Sequence, residues 1–536
     1  MDYNQQALTL ENALRVLSKS SAEAVAVEKG NSSQSQYKSY LYIQTKVELD
    51  FEQKLRELGP GKILFLCGSS GDGKSEIMTR FSNKDEFQHI DFHLDATHSF
   101  KPNQTAIQAL DQLFKATINS KRPLVVGINI GMLGNYAKSG DDELSYLKDA
   151  IIHFIEGDRS LIAKEFQFID FEDYPKFMFM EDGFSSSFVE PFLKKLTSDT
   201  DGNPFFQLYK QELAKHGQTK LTTNYMLLSL PEVQVVLVEL LIKARLSKDQ
   251  FVTARTLLDF IYCILSGDNY LFDNLFLGGD NEIQERLVDF DPANIRNRNI
   301  DQFILKFDLE IVEPEFHAFK DNIEELGLYS LSKAESYIRL TYLLGDSDLS
   351  SGFKRVLNSD FKDSTLDFYS ATWRLHANFD GTAQHKQLLN KFYKDTLISS
   401  LHRYCNRNAQ SLDKDHFHLT SLRGYNVATT VDIRADFESI KSDRHDNISH
   451  FQAHLKVNET SHVCVEITMN LFELMLKINE GYRPNKHDKS AIILLDEILE
   501  NILEIANQSD TLLIFHKEAR YKIVNEENDY YEISGI

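Results

Sequence analysis

Gly68-Ser69-Ser70-Gly71-Asp72-Gly73-Lys74-Ser75 fits the pattern G-x-x-x-x-G-K-[ST]. Residues of these types at this spacing hold phosphate. Glycines let the backbone wrap closely and turn its N–H groups inward. The start of a following helix adds partial positive charge. Lys74 then reaches the β- and γ-phosphates, and the Ser75 hydroxyl ligates Mg2+. The expected chemistry is ATP binding and hydrolysis, with Gly68, Ser69, Ser70, Gly71, Asp72, Gly73, Lys74 and Ser75 as the ligand set.

The surroundings of the loop are those the chemistry requires. Lys62 to Cys67 reads KILFLC, a short buried-strand run, and Glu76 to Phe81 can continue as a helix. Strand, loop and helix follow in that order. Hydrolysis also needs a polar residue at a strand end to hold the Mg2+ shell and orient water. Ile492-Ile493-Leu494-Leu495-Asp496-Glu497 matches in letters only. Its apolar residues run on through Leu495, Ile498, Ile502 and Ile505, while Asp496, Glu497, Glu500, Asn501 and Glu504 share another face. That is a helical period, with Asp488 or Ser490 as the expected cap.

Two better candidates lie closer to the loop. His89 to Asp95 alternates like a strand and ends in Asp95. A helical stretch from Thr105 to Thr117 follows, with Ile107, Leu110 and Phe114 on one face. Pro123 to Asn129 then reads as a buried strand ending in Asn129. Asp95 is the expected acidic partner of Lys74. Asn129 is expected to polarise the attacking water or sense the γ-phosphate. Asp170, after Phe166-Gln167-Phe168-Ile169, is another option for the acid. Without an unambiguous acid, a second reading stands beside hydrolysis. It is a nucleotide-dependent scaffold with little intrinsic turnover.

These residues need an α/β core with a mostly parallel sheet to position them. The expected class is a P-loop nucleoside-triphosphatase core of the AAA-like kind. The reading places an N-terminal helical extension at 1–60 and the core at 61–200. A helical lid follows at 201–280, a helical middle domain at 281–420, and a mixed α/β domain at 421–536. In AAA-like ATPases a lid arginine near a helix start contacts the phosphates. Thr253 can cap a helix whose first turn carries Arg255, which makes Arg255 the candidate nucleotide contact.

Composition narrows the function classes. The chain has 536 residues, too many for one core, and a formal net charge of -22. Duplex DNA repels so acidic a chain unless basic residues cluster, and no long Lys/Arg run is present. If the chain acts on nucleic acid, a partner is expected to supply much of the grip. The four cysteines, Cys67, Cys263, Cys405 and Cys464, form no close pair, which argues against a disulfide framework or a zinc ribbon. The polar start and the absence of a long apolar run lead to the expectation of a cytoplasmic chain without a membrane span. His416 and His418 in DHFHL, and His450 and His454 at i, i+4, lack the third ligand or glutamate of a known metal motif. They read as ordinary polar residues. No nuclease signature or nucleophile elbow is recognised.

Several phrases together carry a resemblance: LSKSSAEAV near Leu17, FLCGSSGDGKSEI at the loop, LDATHSF from Leu94, VVGINIGML from Val125 and INEGYRPNKHDKS from Ile478. The chain resembles the DptF family of bacterial DNA phosphorothioation-dependent restriction proteins, over most of its length. The resemblance implies an ATP-binding subunit working with DptG and DptH against DNA that lacks backbone sulfur. Gly68, Gly71, Gly73, Lys74 and Ser75 carry over as nucleotide ligands, and no nuclease residue does. Beside the restriction reading stands an oligomerising signalling ATPase of antiviral defence with little intrinsic hydrolysis.

Overall fold

A computed structural model of the chain describes residues 9–20, 35–96, 104–174, 177–180, 183–248, 253–311, 313–329, 331–345, 347–357, 361, 364–409, 412, 416–443, 450–458, 461–506, 511–516, 519–526 and 530–535. The chain is a mixed α/β protein of two compact units. The first comprises Met1–Arg245 and Gln250–Phe361, and the second Leu246–Asp249 and Lys362–Ile536. The division falls inside the stretch 281–420 that the sequence reads as one helical region.

The first unit is built around a parallel sheet of β1 (Ile63–Cys67), β2 (Asp91–His93), β3 (Leu124–Ile128) and β4 (Phe166–Asp170), in the order β2-β3-β1-β4. All five residues of β1 are buried, and the reason is geometric. Successive strand side chains point to opposite faces, so a strand covered on both faces is apolar throughout. Ile63, Phe65 and Cys67 pack with Leu110, Phe114, Leu133 and Ile151 from the helices Ala106–Ser120, Ile130–Ser139 and Ser145–Ile155. Leu64 and Leu66 pack the other way, with Phe51, Leu55, Met78 and Phe81 from Lys46–Glu57 and Lys74–Ser82. Phe51 meets Phe81 edge-on at 5.5 Å between ring centres. The helix Lys46–Glu57, read from sequence as part of an extension, is thus a wall of the sheet. Full burial of each such aromatic or leucine contributes roughly 1.5–3 kcal/mol.

The sheet tolerates little at Gly127. A Cβ there would lie 2.7 Å from the Leu94 carbonyl oxygen and 2.8 Å from the Met78 sulfur. Met78 could yield, but Leu94 is backbone, and Ala96 N–H donates to the Gly127 carbonyl at 3.1 Å beside it. Gly127→Ala is therefore expected to lower unfolding stability by about 1–3 kcal/mol, read as a shifted urea midpoint.

Beyond β4 the first unit is mainly helical, with one short hairpin, β5 (Met178–Met180) and β6 (Gly183–Ser185). Pro231–Lys248 buries Val233, Leu237, Leu240 and Leu241. Among the described residues no single helix is long and apolar enough to cross a membrane. Lys220–Ser229 and Pro231–Leu246 reach that length only as a pair bent by 83°.

The second unit carries two antiparallel sheets. One has the order β11-β10-β9, from β9 (Ile433–Ala435), β10 (His450–Val457) and β11 (Ser461–Thr468). The other has the order β14-β13-β12-β8-β7, from β7 (His416–Leu422), β8 (Tyr425–Thr430), β12 (Thr511–His516), β13 (Ala519–Glu526) and β14 (Tyr530–Gly535). The acidic stretch at Asp496 lies in the helix Lys489–Ala506, which buries Leu495, Ile498 and Ile502. Asp488, one of the two expected caps, directly precedes the helix and is also tied to the turn before it. Asn485 caps a preceding 3-10 turn, and Asp488 returns a bond to the Asn485 N–H.

Candidate nucleotide site

The four parallel strands end on one edge of their sheet. There β1 leads into the glycine loop, β3 into Asn129, and β4 into Asp170, while β2 stops two residues before Asp95. Cys67 lies opposite Ile128 on one side and Asp170 on the other. The chain leaves β1 for both sides of the sheet, and this is the edge where open α/β sheets bind ligands.

Gly71 and Gly73 hold positive φ of 88° and 99°, a region side chains strain to enter. Gly73 begins the helix Lys74–Ser82, and no side chain caps that helix start. The first helical N–H groups and the dipole therefore point at the loop. Lys74 Nζ donates to the carbonyls of Gly68 at 3.0 Å and Ser69 at 2.7 Å. Burial pulls the Lys74 ammonium below its ordinary pKa, and the charges of Asp72, Asp95 and Asp170 work against that shift. The lysine thus stands among three carboxylates. Cys67 is fully buried, and burial pushes its thiol up, so it is a packing residue.

Asp72 braces the loop through its side chain. Its carboxylate accepts the Ser69 N–H at 2.7 Å, and it is buried in the loop. A carboxylate repels phosphate, so a bound phosphate would meet Asp72 through its backbone N–H.

Each strand-end candidate has a distinct setting. Asp95 is exposed and held between two anchored neighbours. Leu94 O accepts the Ser75 hydroxyl in a long contact of 3.5 Å, and Ala96 N–H donates to Gly127. The expected Mg2+ ligand therefore sits beside the residue preceding Asp95. Asn129 caps the helix Ile130–Ser139, its Oδ1 accepting Met132 N–H at 2.6 Å. That bond takes one of the two lone pairs of the oxygen, and the NH2 group is a donor. Asp170 accepts Glu172 N–H at 3.1 Å. Burial raises its pKa, and the negative charges of Asp173 and Asp72 raise it further.

Arg255 is brought to the loop from far along the chain. Thr253 caps the helix Ala254–Ser266 by accepting Thr256 N–H at 3.1 Å. The Arg255 N–H donates to the Gly71 carbonyl at 3.3 Å, and a Cβ on Gly71 would meet Thr253 Oγ1 at 3.1 Å. The helix start is thus packed directly on the glycine loop. Arg245 is a second cation nearby that the sequence reading did not assign. Its charge opposes the upward pKa shift that burial and Asp170 impose on Glu172. Its position in an apolar helix carried no signal for a site.

The residues fit ATP with Mg2+: an uncapped helix start, positive-φ glycines, a lysine, a hydroxyl and a nearby carboxylate. Ser75 would hold the metal, which supplies neutralising charge to the phosphates when bound. Comparison of the chain with protein-family models, with curated proteins and with solved structures finds no match.

Proposed function

We propose that the first unit is a P-loop ATPase core of the AAA-like kind. The observation that carries this reading is the meeting of the Lys74 loop, Asp95, Asn129, Asp170 and Arg255 at one sheet edge. These residues span almost 190 positions of sequence, and the fold brings them to a single loop. Lys74 neutralises phosphate charge. Asp95 orients water, Asn129 donates to the terminal phosphate, and Arg255 links nucleotide occupancy to the helices that follow.

The biological setting we propose follows the resemblance to the DptF family. The chain would be the ATP-dependent subunit of a restriction complex acting on DNA that lacks phosphorothioate, with DptG and DptH as partners. The net charge of -22 supports DNA contact through those partners. The test is phosphate release by the purified chain, wild type beside Lys74→Ala, with and without unmodified DNA and the two partners. Tight ATP binding with negligible turnover under every condition would favour the scaffold reading, which the lack of an unambiguous acid in the sequence motivates.

Arg255→Ala offers a milder test of the lid contact. Its backbone bond to Gly71 survives the substitution, so the helix start stays in place. ATP affinity is expected to fall roughly 10- to 100-fold, the worth of one charge-assisted hydrogen bond to phosphate. Unchanged affinity in a fluorescent-nucleotide titration would make Arg255 a packing residue.

A further inference from the structure

We propose that the second unit carries a transition-metal site of the zinc class, with His454 and His462 as its inner ligands. His454 Nδ1 lies 3.2 Å from His462 Nε2. The outer nitrogens are both held by carboxylates: His454 Nε2 by Asp443 at 2.6 Å and His462 Nδ1 by Asp436 at 3.1 Å. A carboxylate accepts, so each outer nitrogen carries the proton. In the neutral imidazoles the two inner nitrogens then direct lone pairs at one another. Such an arrangement calls for a cation between them.

The distances suit a metal. Two Zn–N bonds of about 2.0–2.1 Å at the tetrahedral angle place the nitrogens about 3.3–3.4 Å apart. A carboxylate on the far nitrogen of each ligating histidine is the usual outer shell, fixing tautomer and ring orientation. The two carboxylates give the site a charge of -2, matched to a dication. Imidazole donors favour zinc and its neighbours over Mg2+ or Ca2+.

The fold holds His454 firmly and leaves His462 accessible. His454 is buried, whereas the His462 side chain is 42% exposed. The His454 N–H donates to Tyr393 Oη at 2.9 Å, in the π-helical segment Phe392–Ile398. His376 Nδ1 faces the Thr372 carbonyl at 2.8 Å, so its Nε2 accepts the Tyr393 hydroxyl at 3.1 Å. Asp436 is held in turn by the N–H groups of Glu438 and Ser439 and by the Ser439 hydroxyl. Cys464 pairs directly opposite His454 in the strand register. Its thiol now donates to Gln452 Oε1 at 3.1 Å. The i, i+4 pair His450 and His454 is therefore not the metal pair. The partner of His454 comes from the next strand, where sequence spacing gives no warning.

The experiment is calorimetric titration of the chelator-stripped full chain with ZnCl2 at neutral pH, in saturating Mg2+, with Co2+ absorption as a second readout. One equivalent per chain is expected, with a four-coordinate Co2+ spectrum. His462→Ala should weaken zinc binding at least about 100-fold, and Asp443→Asn about 10- to 100-fold. His462 lies on the exposed face, so its variant keeps the fold readable where His454→Ala risks the core. Lys74→Ala should bind zinc normally, which separates this site from the glycine loop. No stoichiometric binding by the wild type overturns the proposal and assigns the pair to a shared proton. Binding that survives His462→Ala and disappears in His153→Ala overturns it equally, since His153, Glu156 and Asp158 form another cluster of metal-ligand types.

Discussion

Lys74→Ala is expected to reduce ATP turnover by about 100- to 1,000-fold while leaving the fold intact. The size follows from what the ammonium does. Charge develops on the transferring phosphoryl oxygens, and one preorganised donor at such a site is worth about 10²–10³ in rate. The fold should survive because Lys74 is the first residue of its helix, and alanine is the best helix former. Its side-chain bonds go to the Gly68 and Ser69 carbonyls, which can turn to water. Phosphate release and urea unfolding, measured on the same preparation, check the prediction. Turnover at the wild-type rate from a folded variant would remove the glycine loop from catalysis. Loss of turnover together with loss of folding would leave Ser75→Ala, a smaller change in the same helix, as the deciding variant.

The sheet edge was legible because burial writes itself into sequence. KILFLC reads as a strand covered on both faces, and β1 is buried on both. The same logic recovers β3, whose apolar run leads to Asn129, while β4 interrupts its apolar residues with Gln167 and is only partly buried on the way to Asp170. The helical period around Asp496 likewise excludes a catalytic strand there. Side-chain roles at the edge were less legible. How Asn129 presents its oxygen and its NH2 depends on the helix that starts at Ile130, because the Met132 N–H takes one lone pair of the oxygen. Asp72 looks like one more loop residue until its bond to Ser69 shows it bracing the turn. Long-range pairings left the weakest trace. Arg255 meets Gly71 through a backbone bond, which any residue but proline could make. His454 meets His462 through the register of a hairpin, and the residues between them do not encode that register by their spacing.

The second large effect discriminates between the two carboxylates flanking the loop. Asp95→Asn is expected to cut turnover by about 100-fold with ATP binding retained, whereas Asp170→Asn should change turnover less than about threefold. Both carboxylates act on Lys74, so proximity alone does not choose. Protonation does. Asp170 is half-buried, and burial with Asp173 and Asp72 nearby raises its pKa. Its charge is thus opposed by the fold, and this cost is present above its folded pKa and disappears as pH falls below the ordinary carboxylate range. The isosteric amide removes that cost and keeps an acceptor for Glu172 N–H, so Asp170→Asn should unfold at an equal or higher urea concentration. Asp95 is exposed, and it follows the residue whose carbonyl meets Ser75. A carboxylate there can reach the shell of a metal on Ser75 without desolvation in advance. Phosphate release beside nucleotide affinity, measured for both variants, decides the assignment. An inactive Asp170→Asn with an active Asp95→Asn would move the acid across β1 to β4. Full turnover in both would show that neither strand end supplies the acid, and Lys74 would then act with a carboxylate brought by a partner.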